Sequence, residues 1–304
     1  MPPTASESIV TFGLWPLAGI TTMGVTAQDA DDTMAAAIES GITAFDTALS
    51  YGFDGESDRL LGRFIRADRD RFTVTGKVGQ RWSSDRQRVV DGRPETLAAD
   101  AETSLRRIGI EQFDVLMLHS PDPAVPLESS AEAMDNLVQR GLAKRTGICN
   151  VDVQQLRTFA SSAACSAVQC PLNLLQSDSL NELIPTAAEL GSEVHVFWAL
   201  MKGLLAGKIS RDHVFAEGDS RSGYEIFQGE RRRHAHDVID AMQPIAESNG
   251  CTIAQLSIGW AASQPGVTSV LAGGRRPDQV RELAAAKRLS PEIVDQLNRL
   301  VNPA

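Results

Sequence analysis

The chain is short of several things. No stretch approaches the ~20 uninterrupted apolar residues of a membrane-spanning helix, so a membrane protein is not expected. Positive charge is scarce. With 29 Lys and Arg against 39 Asp and Glu, the net charge is −10, which argues against a nucleic-acid surface. The one dense basic run, Arg231-Arg232-Arg233, opens a polar helix and reads as a solvated face. The four cysteines, Cys149, Cys165, Cys170 and Cys251, have neither metal-ligand nor disulfide-framework spacing, so buried free thiols in a reducing cytoplasm are expected. His234 and His236, two residues apart, do not share a helix face, and no metal is expected there. Met1 to Glu7 is polar and lacks the charged-then-apolar pattern of a signal peptide. No linker rich in Pro or Ser divides the chain, so residues 1–304 are expected to form a single domain.

Strand-like and helix-like segments alternate throughout. The strands are expected at Val10–Trp15, Thr43–Asp46, Thr73–Lys77, Asp114–His119, Arg145–Cys149, Ser166–Cys170, Glu193–Trp198 and Thr268–Ala272. Between them lie segments of helical apolar spacing, such as Ala27–Ser40, Glu95–Ile108 and Ser129–Arg140. Eight strands with intervening helices predict a (β/α)8 TIM barrel. A doubly wound open sheet would want a Gly-rich dinucleotide turn after its first strand, and Phe12 to Gly19 supplies none. After the seventh strand the chain is longer than one helix requires. A Gly/Ser/Asp-rich loop from Asp212 to Gly229 precedes a helix from about Glu230 to Asn249, and such an insertion is expected to cover a ligand.

Active residues of barrels lie at the C-terminal ends of the strands. Three such ends supply Asp46 with Tyr51, Lys77 and His119. Reducing a carbonyl takes hydride at carbon and a proton at oxygen. Tyr51 alone is a weak acid, with a pKa of about 10. A lysine ammonium beside it favours the phenolate and would bring that pKa toward working pH. Asp46 would hold Lys77 charged, and His119 would orient the carbonyl or share the proton transfer. Singly, each has a plainer reading: a strand-end Asp commonly caps a helix. Their joint placement carries the argument.

These residues sit in motifs that resemble the aldo-keto reductase superfamily. Gly41-Ile42-Thr43-Ala44-Phe45-Asp46-Thr47-Ala48 with Tyr51-Gly52, Lys77, and Leu118-His119-Ser120-Pro121 follow the family's order. Gly203-Leu204-Leu205-Ala206-Gly207-Lys208, Ala254 to Trp260, and Pro265 to Arg275 extend the similarity from about Val10 to Leu289. The resemblance implies NADPH bound across the C-terminal face without a separate dinucleotide domain. It puts Asn150 and Gln169 at the nicotinamide carboxamide and Phe197 against its ring. Gly203, Leu205 and Lys208 fall in the pyrophosphate loop, Arg221 in the loop that folds over it, and Arg275 and Gln279 at the 2′-phosphate and adenine. Trp15 and Phe53 are expected to wall the substrate pocket, whereas Trp82 reads as loop packing. The chain departs from the family at Cys149 (often Ser), Leu283 (often Asn) and Trp198 (often small and polar), and its amino-terminal hairpin is short or missing.

The function implied is NADPH-dependent reduction of aldehyde, ketone or sugar-like carbonyls, with a small-molecule substrate as partner. Two alternatives remain: an NAD(P)+-dependent aldose or polyol dehydrogenase, and a cofactor-binding interaction module such as the potassium-channel beta subunits.

Overall fold

A computed structural model describes residues 8–19 and 24–301. The strands are β1 (Val10–Gly13), β2 (Ala44–Asp46), β3 (Thr73–Val78), β4 (Gln80–Trp82), β5 (Arg88–Val90), β6 (Phe113–Leu118), β7 (Ala143–Cys149), β8 (Ala167–Pro171), β9 (Glu193–Phe197) and β10 (Ser269–Ala272). Eight of them close a barrel in the order β1-β10-β9-β8-β7-β6-β3-β2, and every pairing in it is parallel. The helices are α1 (Ala27–Glu39), α2 (Glu56–Ile65), α3 (Pro94–Ile108), α4 (Leu127–Gln139), α5 (Val153–Ser162), α6 (Leu183–Glu189), α7 (Gly229–Ser248), α8 (Ile253–Ala262), α9 (Pro277–Ala284) and α10 (Pro291–Val301).

Strand alternation divides the core in two. Outward positions such as Phe12, Phe45, Val74, Leu116, Ile148, Val168 and Val194 join the helices in one large apolar cluster. Inward positions form only a small apolar plug of Val115, Met117 and Ala167, and the rest of the inner layer is polar. A polar barrel interior is where chemistry fits. Local signals start the helices: Thr26 with Asp29, Asp152 with Gln155 and Thr252 with Gln255 each form a reciprocal capping box.

Three features differ from the sequence expectation. The first strand stops at Gly13, and Trp15–Leu17 forms a single 3-10 turn, with Pro16 at a position suited to a turn's start. The polar stretch after β3, where no strand is expected, is an antiparallel ribbon of β4 and β5. The long segment after β9 contains short 3-10 turns at Met201–Ala206, Ser220–Gly223 and Glu225–Phe227 before α7. Cys149 and Cys170 are buried, while Cys165 and Cys251 are only half-buried, and all four are free. The expected departure at the amino-terminal hairpin lies outside the described residues. No helix among the described residues is long and apolar enough to cross a membrane.

Candidate active site

Asp46 closes β2, and Lys77 lies two residues beyond Thr75, which pairs with Asp46 across the β2–β3 register. Both side chains therefore point inward at the C-terminal end of the barrel, with Asp46 fully buried and Lys77 2% exposed. The Lys77 ammonium donates to Asp46 Oδ1 and, at 3.0 Å, to the Tyr51 hydroxyl. The second Asp46 oxygen accepts from Gln169 Nε2 at 2.7 Å. His119, just past β6, presents its ring 5.9 Å from that of Tyr51 at 74°, and its Nδ1 lies 3.4 Å from Ser50 Oγ. The structure thus brings all four sequence candidates, Asp46, Tyr51, Lys77 and His119, to one place.

Tyr51 rides on the turn between β2 and α2. Gly52 follows it at φ 107°, a left-handed value that L side chains avoid, so glycine lets the chain turn there. Beneath the turn, Asp58 is fully buried and accepts from Thr47 Oγ1 at 2.8 Å and Ser104 Oγ at 2.6 Å. This network pins the Tyr51 turn to α2 and α3. Nothing in the sequence singles out Asp58, because an acid in a first helical turn is ordinary.

Burial pushes the Tyr51 hydroxyl up to about 12, against the lowering pull of the Lys77 ammonium. This corrects the expectation that lysine would bring the phenol toward working pH. Desolvation, with the Asp46 charge added, outweighs the cation. At neutral pH the hydroxyl therefore carries its proton, the form a donor needs. Burial opposes the Lys77 charge, yet Asp46 and Tyr51 together hold its pKa above the ordinary lysine value. Burial, then the charges of Lys77 and Arg88, hold His119 well below the usual histidine range, so its imidazole is neutral. Burial also raises the Cys149 thiol to about 12.

The other side of the barrel mouth is cationic. Asn150, at φ 57°, donates from Nδ2 to the His119 carbonyl at 2.9 Å. Phe197 ends β9, half-buried, with Trp198 edge-on at 5.3 Å. Trp198 is 41% exposed. Its ring and that of Tyr224 stand 4.1 and 4.0 Å from the Lys202 ammonium, one cation between two aromatic faces. Met201, Lys202 and Gly203 all have positive φ, and a Cβ on Gly203 would meet nothing nearer than Arg221 Nη1 at 3.9 Å. Lys208 pairs with Glu282 at 2.5 Å, and Arg221 is held by Asp219 at 2.6 Å. The Arg275 backbone N–H donates to Gln279 Oε1 at 2.9 Å, and among the described residues no carboxylate forms an ion pair with its guanidinium. Leu205, grouped with that loop by the sequence, has a fully buried side chain, and its N–H donates to the Leu200 carbonyl.

Lys202, Lys208, Arg221 and Arg275 gather positive charge on one rim of a chain of net charge −10, beside a left-handed run of backbone, an arrangement suited to an anionic cofactor. Gln169 and Asn150 supply amides beside the buried acid–lysine pair, as a carboxamide would require.

On the substrate side, Trp15 packs edge-on against Tyr51 at 5.1 Å, and Phe53, 39% exposed, packs against Trp82 at 5.1 Å. Trp82 also donates from Nε1 to the Ser50 carbonyl at 2.9 Å, so it braces the Tyr51 turn as well as filling a loop.

A closed parallel barrel with an acid–lysine–tyrosine–histidine cluster at its C-terminal mouth defines an α/β-barrel oxidoreductase type. The model of the aldo/keto reductase family matches residues 10–302, and the chain belongs to that family. It is 30% identical over 277 residues to the NADH-specific methylglyoxal reductase of Escherichia coli, covering 87% of this chain and 84% of that protein. The glycerol dehydrogenase of Gluconobacter oxydans superposes with a TM-score of 0.89 at 28% identity, covering 99% of this chain and 94% of that one. An aldo/keto reductase of Klebsiella pneumoniae, in complex with NADP and acetate, superposes with a TM-score of 0.73 at 26% identity, over 97% and 92% of the two chains.

Proposed function

We propose that this protein is an NADPH-dependent reductase of aldehyde, ketone or sugar-like carbonyls, with Tyr51 as the proton donor. One geometric relationship carries the reading: the Tyr51 hydroxyl lies at the barrel mouth beside His119 and is backed at 3.0 Å by the Lys77 ammonium. A bound nicotinamide cofactor supplies a hydride equivalent to the carbonyl carbon. Tyr51 gives its proton to the carbonyl oxygen, and the electron pair of that O–H bond stays on the phenolate. Lys77, fixed by Asp46, stabilises that phenolate as it forms; a cation 3.0 Å away in a low dielectric acts more strongly than in water. His119, neutral, holds the carbonyl oxygen by a hydrogen bond and adds no competing charge. Asn150, Gln169 and Phe197 would hold the nicotinamide, with Gly203, Lys208 and Arg221 about the diphosphate and Arg275 and Gln279 about the adenosine. Trp15 and Phe53 flank the carbonyl substrate.

Steady-state NADPH oxidation with a panel of aldehydes and ketones tests this. Turnover by the wild type and its loss in Tyr51→Phe are expected; absence of turnover with every carbonyl would sink the reading. The likeness to a glycerol dehydrogenase supports a second reading, oxidation of a polyol with NAD(P)+, in which Tyr51 phenolate takes the proton. Comparing polyol oxidation with carbonyl reduction at neutral pH separates the two.

A further inference from the structure

The β4–β5 ribbon brings to the mouth a residue that no part of the proposed proton path uses. The Arg88 guanidinium carbon lies 5.4 Å from the Trp15 ring centroid and 5.0 Å from that of Trp82. Trp15 in turn is 5.1 Å from the Tyr51 ring. The guanidinium therefore stands no farther from the Tyr51 ring centroid than the sum of the Trp15 separations. Its charge is among the causes that hold the His119 pKa down.

Arg88 is exposed, and among the described residues it has neither a carboxylate partner nor a side-chain hydrogen bond. That sets it apart from Arg59, Arg63, Arg81, Arg93 and Arg107, each of which is paired with an acid. A guanidinium held near indole rings keeps N–H donors available, and two of them match the two oxygens of a carboxylate. Arg86 on the same ribbon lies 4.5 Å from the Phe53 ring, also without an acid partner among the described residues. An otherwise acidic protein thus offers two unpaired cations beside the aromatic walls of its candidate pocket.

We propose that Arg88 is the anion-recognition residue of this pocket, and that the favoured substrates are carbonyl compounds bearing a carboxylate a few bonds from the reacting carbonyl. The proposal rests on the reductase reading and narrows its substrate class. The aldehyde would sit between Tyr51 and His119, with Trp15 flanking its carbon chain and the carboxylate against Arg88. Neutral carbonyls would bind without the anchor.

The test uses the whole protein with NADPH and a matched pair, 4-oxobutanoate and its methyl ester, which differ in charge and little else. Wild type is expected to favour the acid in kcat/KM by about tenfold to a hundredfold, the range of one charge-assisted hydrogen-bonded pair. Raising the ionic strength should shrink that preference. Arg88→Met should lower the acid's kcat/KM at least ~10-fold more than the ester's, mainly through KM, and Arg88→Lys should keep part of the preference. Equal use of acid and ester by the wild type, or equal loss on both in Arg88→Met, overturns the proposal while leaving ester turnover as support for the reductase reading. A readout independent of turnover separates the two claims. Succinate should produce a saturable change in tryptophan emission from Trp15 and Trp82, absent in Arg88→Met. That response without turnover of any carbonyl would support the anion site and overturn the reductase reading; no response in the wild type would overturn the anion site.

Discussion

Lys77 meets Tyr51 in two ways: its ammonium donates to the phenol oxygen at 3.0 Å and lies 4.7 Å from the ring centroid. The same ammonium is bound to Asp46, which is held from its other oxygen by Gln169. The phenol is therefore the outward end of a buried chain, Gln169–Asp46–Lys77–Tyr51. It is the member of that chain whose surroundings are least enclosed. Charge that develops at Tyr51 is answered from inside the barrel, where water does not compete.

Tyr51→Phe keeps the ring and its packing against Trp15 but removes the hydroxyl. General acid catalysis contributes about 10²–10⁴-fold, and kcat should fall at least that far. Cofactor affinity, read by fluorescence titration, should stay near the wild-type value. Carbonyl reduction by the variant at close to the wild-type rate would reject Tyr51 as the donor.

Lys77→Met leaves the Asp46 carboxylate buried without its cation. Breaking a buried pair from one side costs about 3–5 kcal/mol, so the variant should unfold at lower denaturant as well as lose activity. Adding Asp46→Leu removes the stranded charge and should recover much of the stability and none of the activity. Urea unfolding of the single and double variants measures this; a double variant no more stable than Lys77→Met would refute the stranded-charge account.

Asp58 makes stability depend on pH. Burial raises its carboxyl from the usual 3.8 to about 6, although Ser104 and Thr47 donate to it. Between these values the folded protein binds a proton that the unfolded chain has released, so stability falls as pH rises through that window. The contribution amounts to about 3 kcal/mol at most, from a displacement of about two pH units. Asp100, also raised to about 6 by burial, adds a slope of the same sign. In Asp58→Asn the decline in unfolding free energy between about pH 4 and 6 should be shallower than in wild type. Equal slopes in the two proteins would mean that Asp58 is not the titrating group.

The barrel was legible because its strands are short apolar runs at even intervals and its helices keep helical spacing, signals that survive without tertiary context. The tetrad was legible because each member adjoins such a run. The β4–β5 ribbon was not. Ser83 to Arg93 has no apolar alternation, and what holds Arg88 and Trp82 in place is their contact with Trp15, Phe53 and the Ser50 carbonyl, distant in sequence. Nor could the Tyr51 pKa be read from neighbours in sequence. Lys77 alone lowers it; the depth of burial that reverses the sign exists only once the barrel closes. The motif located the loop of Gly203 and Leu205, but the burial of the Leu205 side chain depends on the left-handed turn there.

The last prediction concerns cofactor choice, which the relatives leave divided: one is NADH-specific and another is a complex with NADP. Arg275 follows β10, with its backbone fixed by Gln279 at the entry to α9. Its guanidinium forms no ion pair among the described residues, although its charge acts on Asp219, whereas Lys208 and Arg221 are paired with Glu282 and Asp219. A 2′-phosphate beside Arg275 gains charge-assisted hydrogen bonds that a bare ribose cannot make. NADPH should therefore bind more tightly than NADH, by roughly 1.5–3 kcal/mol, and Arg275→Ala should remove most of that difference by weakening NADPH alone. Fluorescence titration of both cofactors against both proteins gives the four constants. Equal affinity of the wild type for NADH and NADPH would overturn the assignment, and so would a loss in Arg275→Ala shared equally by the two cofactors, since that would assign the guanidinium to a part they have in common.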